Sequence, residues 1–294
     1  VLTALFAVAA FATSAGEIPD RPEKLPVKPL AYDPPKPDDY RVQLKSGLVA
    51  YIAEDRELPL VNIQIYIRAG DYLDSSEKAG LAGTTGYMLT AGGTTSRTAE
   101  ELEERMAFLA AMLRSNIGDT QGSVSLNLLS KDMDEGFATL REVLTEPRFQ
   151  QDKLELRKQQ ALQAMQRRND ESAAIEQRER RILAYGDNFW VNNHTTRASV
   201  ESITREDLIH FHQRWLHPAN FMVAVNGDFA KADMIARLEK LFSNWPFKGD
   251  VSPAIPGKIQ MAAPGTYLVD KDVNQGRVSM LLPGILRDNP DYFA

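Results

Sequence analysis

Three short segments of the chain alternate apolar with polar residues, which is the period of a strand with one buried face. They are Val61–Ile67, Val124–Leu128 and Phe221–Val225. Two apolar stretches on either side of residues 45–47 (Lys-Ser-Gly) also have the spacing of a hairpin. Because segments with helical spacing lie between the strands without strict alternation, we predict an α+β fold, a mixed or antiparallel sheet packed on helices.

Helix signals predict the remaining elements of this fold. The predicted helices are Ser76–Leu89, Thr98–Leu113, Gln151–Tyr185, Thr204–Trp215 and one that includes Met234–Phe242, and a further helix capped by Asp132 carries Phe137, Leu140 and Leu144. The second and fourth begin with a threonine followed three residues later by an acid, the pattern of a capping box. The third is long, charged and free of proline.

Charge and composition exclude several classes of function. The 294 residues carry 34 basic and 40 acidic side chains, a net charge of −6 and no cysteine. Nucleic acid is therefore not expected as a main partner, since phosphate binding needs clustered basic residues. Disulfides, thiolate metal sites and a cysteine nucleophile cannot form without cysteine. The sequence also lacks a phosphate loop, a dinucleotide fingerprint and a G-x-S-x-G elbow.

The four histidines do not have the spacing of a metal site. They are His194, His210, His212 and His217. Residues two apart on a helix face opposite sides, so His210 and His212 cannot share a metal ion. We expect the histidines to lie at surface or capping positions.

The N-terminal composition predicts a processed leader. Residues 1–15 are an apolar run that ends in small residues, as in the remnant of a secretory signal peptide. The run is too short to span a bilayer, so we expect export without a stable membrane span. A buried N-terminal strand or helix is the alternative. Residues 16–38 are rich in proline and predict an extended lead-in.

The rest of the chain divides into a large domain and the beginning of another. We expect a domain over residues 39–245 and a linker over residues 246–265, which are rich in proline and glycine. Thr266–Val269 and Val278–Leu282 then predict opening strands of a second, similar domain. We expect the sequence to stop within that domain, over residues 266–294.

Five ordered blocks of sequence resemble a known family. They are residues 44–52 (LKSGLVAYI), 67–70 (IRAG), 78–82 (KAGLA), 215–220 (WLHPAN) and 225–228 (VNGD). In this order and spacing they resemble the pitrilysin/insulinase family of zinc metallopeptidases. The resemblance covers about residues 40–245 and implies that family's α/β domain.

The resemblance also implies where a zinc site would lie. Members that cut peptides carry H-x-x-E-H directly after the Gly-Leu-Ala stretch, two histidines that bind zinc and a glutamate that activates water. Here those positions hold Gly83, Gly86 and Tyr87, and the stretch matching the third ligand, residues 159–165, contains no acid. We therefore expect no catalytic residue, metal or cofactor in this chain. The glycines represent either decay of an unused site or a face that a substrate or partner approaches closely.

Three hypotheses for function follow from the resemblance. The first is a non-catalytic subunit of an exported heterodimeric metallopeptidase in the bacterial periplasm, whose partner carries zinc in an intact motif. In it, peptide substrates would add to a strand edge near Ser115–Ser125, with Ser115, Asn116 and Gly118 as candidate residues. The second is a scaffold or interaction protein without a role in proteolysis. The third, and least favoured, is an autonomous zinc endopeptidase.

Basic residues on the predicted long helix have two readings. They are either a basic docking stripe or, as we favour, a solvated face, because glutamates are interleaved with them. The basic residues are Arg157, Lys158, Arg167, Arg168, Arg178, Arg180 and Arg181.

Overall fold

The computed structural model describes residues 21, 33–287 and 289–293. The predicted signal remnant, residues 1–15, lies outside these residues, as does most of the predicted lead-in. The chain divides into two units at residue 36, and the few described residues of the first unit form no helix or strand. All described helices and strands belong to the second unit, from Pro37 onward.

Six strands form one mixed sheet in the described part of the chain. They are β1 (Arg41–Gln43), β2 (Val49–Glu54), β3 (Leu60–Ile67), β4 (Met112–Ile117), β5 (Gly122–Leu129) and β6 (Phe221–Gly227). Their order across the sheet is β1-β2-β6-β3-β5-β4, and β2 with β6 is the parallel pair in an otherwise antiparallel arrangement. The three alternating sequence segments form the three adjacent strands β6, β3 and β5, and the α+β prediction is confirmed.

One face of this sheet forms the core. Val61, Ile63, Ile65 and Ile67 of β3 are buried, whereas the alternating Gln64 is only half-buried. Burying each such aliphatic side chain stabilises the fold by about 1.5–3 kcal/mol before the entropy of ordering is counted. The period of two therefore fixes which side of β3 faces the helices.

Nine α-helices occur among the described residues. They are α1 (Pro37–Tyr40), α2 (Leu81–Ala91), α3 (Ala99–Phe108), α4 (Met133–Thr145), α5 (Gln151–Gln166), α6 (Ser172–Tyr185), α7 (Arg197–Ser202), α8 (Arg205–Trp215) and α9 (Lys231–Phe242). Both predicted capping boxes are present, at Thr98 before α3 and Thr204 before α8. None of these helices combines the length and apolar character needed to cross a membrane.

Two predicted helix boundaries are wrong for local reasons. The α-helix expected from Ser76 begins only at Leu81, because Gly80 has a φ of 95° and interrupts the helical backbone. The helix expected to reach Leu113 ends at Phe108, where Ala110, with a φ of 49°, turns the chain. Residue 113 instead pairs with β5 as part of β4.

The predicted long helix from Gln151 to Tyr185 is two helices. The amides of Arg167 and Arg168 bond to carbonyls three residues back, which tightens and ends the last turn of α5. Helix α6 then begins at Ser172. The polar sequence of residues 167–171 (RRNDE) gives the chain no apolar side chain to hold a continuous helix on the core.

The strands predicted at Thr266–Val269 and Val278–Leu282 are wrong. Neither segment forms a strand or pairs with one, and Leu268 and Val278 are 91% and 95% exposed. A strand needs a neighbour for its amides and carbonyls, and none of the described strands lies beside either segment.

Candidate functional site

The face of α2 that carries the degenerate motif packs against the end of β4. A β-carbon on Gly83 would lie 3.7 Å from the carbonyl oxygen of Ile117, and one on Gly86 would lie 2.3 Å from its nitrogen. The second distance is shorter than any real contact of a β-carbon, so only glycine fits at residue 86 with this spacing. The neighbour that closely approaches the glycine face is therefore the chain's own β4.

Polar contacts hold α2 and β4 at this distance. The Ser115 hydroxyl donates to the carbonyl of Gly86 at 2.6 Å and lies 2.9 Å from the hydroxyl of Thr90. Ser115 thus links β4 to two successive turns of the helix that would carry a metal motif.

The third motif position, Tyr87, points partly into solvent. Its side chain is 39% exposed, and the guanidinium carbon of Arg157 on α5 lies 4.6 Å from the ring centre. A cation at this distance is attracted by the negative face of the ring. Tyr87 therefore packs against α5 through an aromatic–cation contact.

These residues do not fit a zinc ion. Glycine has no side-chain atom that could bind zinc. A tyrosine binds zinc through a deprotonated phenol oxygen, and Tyr87 is stacked on Arg157 without a second ligand beside it. Residues 159–165, where a third ligand would lie, offer no carboxylate. In the part of the chain that the structure describes, no group of three or more histidine, cysteine or acidic side chains is placed to hold a metal.

Two half-buried carboxyl groups, Asp71 and Asp74, lie at the N-terminus of α2. Asp74 accepts the amides of Gly80 and Ala82, both at 3.0 Å, and so satisfies helix donors that have no partner in the helix. Burial, followed by the charge of Asp71, raises the pKa of Asp74 to about 7. Burial and the charge of Asp119 raise the pKa of Asp71.

Sequence reasoning missed this pair. Asp74 lies six residues before Gly80, whereas a capping signal is normally read at the residue next to the helix. The only sequence signal for this capping contact is an acidic residue followed by a short turn and Gly-Leu-Ala.

The open edge of the sheet near α2 is β4. Strand β5 pairs with both β3 and β4, so the edge predicted near Ser115–Ser125 narrows to β4. The Gly118 amide bonds to the carbonyl of Gln121. Alternation along an antiparallel ladder then directs the amides and carbonyls of Leu113, Ser115 and Ile117 away from β5. Because α2 covers Ile117, the part of the edge that is not packed under Gly86 is at Leu113 and Ser115, both half-buried; it is called the accessible part below.

The other two predicted site residues lie beside this edge in different roles. The side chain of Asn116 is exposed, and its backbone groups face β5 by the same alternation. Gly118 lies in the turn between β4 and β5, and its carbonyl accepts the amide of Asp71 at 3.0 Å.

A groove of about 510 Å³, here called the edge groove, runs beside the start of β4. Its walls come from α2, α3, α5 and β4. The lining residues used below are Tyr87, Leu102, Glu103, Met106, Met112, Arg114, Lys153 and Leu156. The groove therefore adjoins the accessible half of the strand edge.

The prediction of surface or capping histidines is wrong for His212, whereas His217 lies at a capping position, directly before the 3₁₀ turn Pro218–Asn220. His212 is 3% exposed, and its Nε2 lies 2.9 Å from the carbonyl oxygen of Leu144. Burial lowers the pKa of His212 to about 4. His217 is also buried, with Nε2 2.9 Å from the carbonyl of Asp250. The apolar faces of the neighbouring segments, and not the polarity of the imidazole rings, determine that these two side chains are buried.

The block WLHPAN ends in a buried asparagine that anchors a later segment. The side chain of Asn220 donates to the carbonyls of Trp215 and Asp250, both at 2.9 Å, and accepts the amide of Ser252 at 2.9 Å. All these atoms are internal backbone groups, which indicates a structural role for this block.

Comparisons with known proteins agree with the fold. A family model described as Insulinase (Peptidase family M16) matches residues 49–190, and one described as Peptidase M16 inactive domain matches residues 202–294. The probable mitochondrial-processing peptidase subunit beta of Arabidopsis thaliana is 21% identical over 267 residues, 88% of this chain and 48% of that protein.

Solved structures have the same fold. The peptidase M16 inactive domain from Pseudomonas fluorescens has a TM-score of 0.65 and 22% identity, over 76% of this chain and 53% of that one. The first half of the periplasmic protease PqqL from Escherichia coli has a TM-score of 0.62 and 18% identity, over 74% and 48%. This chain therefore spans about half the length of each of these three relatives. The expectation from the five sequence blocks is confirmed: the chain belongs to the insulinase family of peptidases, M16.

Proposed function

We propose that this chain is a non-catalytic subunit of an exported, heterodimeric zinc metallopeptidase. In this role it binds extended peptides and helps to enclose them for a partner that carries zinc in an intact H-x-x-E-H motif. The observation that carries the proposal is the accessible edge of β4 beside a motif helix without metal donors.

The edge supplies the peptide-binding chemistry. Leu113 and Ser115 direct backbone donors and acceptors outward, and an extended peptide can pair with them as a seventh strand. Main-chain hydrogen bonds of this kind give affinity without requiring one sequence, while neighbouring pockets select side chains.

The closed face of α2 supports a role without chemistry of its own. A glutamate at residue 86 would have to displace the backbone of Ile117, and neither Gly83 nor Gly86 offers a ligand atom. The reacting groups for peptide cleavage would then come from another subunit. The apolar run of residues 1–15 supports export, as does the likeness to a protease described as periplasmic.

Affinity purification of the full-length protein from its native host tests the proposal. Mass spectrometry of the eluate should identify a copurifying protein with an intact H-x-x-E-H motif, and the eluate should cleave peptides. Mixing the two purified proteins should raise peptidase activity above that of the partner alone. A stable complex without any gain in activity would instead favour the scaffold function. Stoichiometric zinc and chelator-sensitive cleavage by this chain alone would contradict both.

A further inference from the structure

The charges around the edge groove are not balanced. Lys153 is paired with Glu100 at 2.6 Å. Arg114 and Arg157 form no ion pair with the described residues, and Glu103 is the one lining acid. Among the residues that the structure describes, the groove and the adjoining Arg157 therefore present two cations without an ion pair against one such carboxylate.

Arg157 is held ready to bind a carboxylate. Its guanidinium lies 4.6 Å over the ring centre of Tyr87, and its side chain makes no hydrogen bond within the described residues. A guanidinium stacked on a ring keeps its N–H groups in its own plane, where they can bind a carboxylate through two parallel hydrogen bonds. Tyr87 is thus a positioning residue for Arg157.

The groove itself is apolar at its base and rim. Leu102 and Met106 are buried beneath it, and Met112, Leu156 and Tyr87 expose large side chains at its margin. A large apolar side chain would cover these surfaces and remove their apolar area from water. The groove borders the accessible half of β4, so the side chain would come from a strand paired there.

We propose that the edge groove selects extended peptides in which a large apolar residue lies close to an acidic one, with Arg157 binding the acid. This inference rests on the proposed peptide-binding function and names its substrate class. The occupant of the groove is an extended peptide paired with β4, because the groove is continuous with the open strand edge and presents cations without an ion pair among the described residues.

Fluorescence anisotropy with the full chain tests the selectivity. The probes are two labelled strand-forming peptides with one phenylalanine. They are identical except that one has glutamate and the other glutamine two residues before and two residues after the phenylalanine, on the same face of the strand. We expect the glutamate peptide to bind about three- to ten-fold more tightly at low salt, with the ratio falling as salt screens the charge.

Substitutions test whether Arg157 and Tyr87 produce the difference in affinity between the two peptides. Arg157→Met retains an aliphatic contact with Tyr87 and should bring the ratio close to one. Tyr87→Phe keeps the ring and should leave the ratio unchanged, whereas Tyr87→Leu should lower it. Arg180→Ala removes an exposed cation from α6, away from the groove, and is the matched control, for which the ratio should be preserved.

The results separate this inference from the function on which it rests. Equal binding of the two peptides, or an unchanged ratio in Arg157→Met, would overturn the selectivity and leave peptide binding intact. If neither peptide binds, the proposed peptide-binding function fails and this inference fails with it.

Discussion

A β-carbon on Gly86 would lie 2.3 Å from the backbone nitrogen of Ile117, so helix and strand meet where a catalytic glutamate would need room. Gly83 on the same face has ordinary space, with 3.7 Å to the nearest backbone oxygen. Neither glycine has a positive φ, so the two differ mainly in the room for a side chain. The glycine face is therefore tightly packed at one position and open at the other.

Gly86→Ala should destabilise the protein by about 1–3 kcal/mol, the cost of overpacking against a backbone. Gly83→Ala should be neutral or stabilising by up to about 1 kcal/mol, because alanine favours a helix interior. Urea unfolding followed by circular dichroism measures both variants. Equal stability of the two would show that α2 and β4 move apart easily.

Ser115→Pro should abolish peptide binding at β4 while preserving most of the fold. The amide of Ser115 faces away from β5, and a proline is tolerated where the missing donor belongs to an open edge. Ser115→Ala is the matched control, because it loses the hydroxyl contacts with α2 but keeps the amide. Anisotropy with the phenylalanine peptides should show binding to the alanine variant only. Undiminished binding to the proline variant would place the peptide elsewhere.

The buried imidazole of His212 should make stability fall in acid. Its pKa is about 4 in the folded protein against an ordinary value of 6.5, so between these pH values only the unfolded state takes up the proton. Stability from this group is complete above pH 6.5 and decreases by about 3 kcal/mol as the pH falls to 4. His212→Gln keeps a donor for the Leu144 carbonyl but cannot titrate, and should lose this slope. Urea unfolding at successive pH values is the measurement.

Asp74 should act in the opposite direction over nearly the same range. Its pKa is raised from 3.8 to about 7, so the folded state holds the proton that the unfolded state releases. The stability contributed by protonated Asp74 is present below pH 3.8 and is lost as the pH rises to 7. The Asp74→Asn variant cannot lose stability in this way. The free energy of unfolding of the variant should therefore rise more steeply from pH 4 to 6.5 than that of the wild type. A profile unchanged by the substitution would mean that the carboxyl is ionised throughout.

Asn220→Ala should destabilise the protein by about 2–3 kcal/mol, because the Ser252 amide and two carbonyls lose a buried partner. Hydrogen exchange at residues 250–252 should accelerate in the variant. Asn226→Ala changes an exposed asparagine of the neighbouring strand and should remain within about 0.5 kcal/mol of the wild type. Similar losses in both variants would argue against the anchoring role.

The central strands and capped helices were predictable because they depend on local patterns. The alternation in β3 and the boxes at Thr98 and Thr204 need only a few neighbouring residues. Residues 112–113 at the start of the edge strand β4 fall within the helix predicted to Leu113, since the polar sequence of β4 shows a period only when it is aligned with β5. The burial of His212 depends on packing against segments distant in sequence.

The geometry of the candidate site could not be predicted from the sequence. The lack of metal donors at Gly83 and Gly86 can be read from the sequence once the family blocks are aligned. That Ile117 fills the space beside Gly86, and that Arg157 stacks on Tyr87, depends on how helices α2 and α5 lie in three dimensions. Charge patterns on α5 alone favour a solvated face.

The segment after Trp245 is secured at both ends. Asn220 binds Asp250 and Ser252, and farther on the amides of Gln260 and Ala262 donate to carbonyls at the end of α6. This stretch, which is rich in proline and glycine, is thus fixed to the rest of the domain at both ends. The residues that follow are also attached to α6, where Arg277 pairs with Glu176 at 2.6 Å, so any swing of this region away from the sheet must break its contacts with α6.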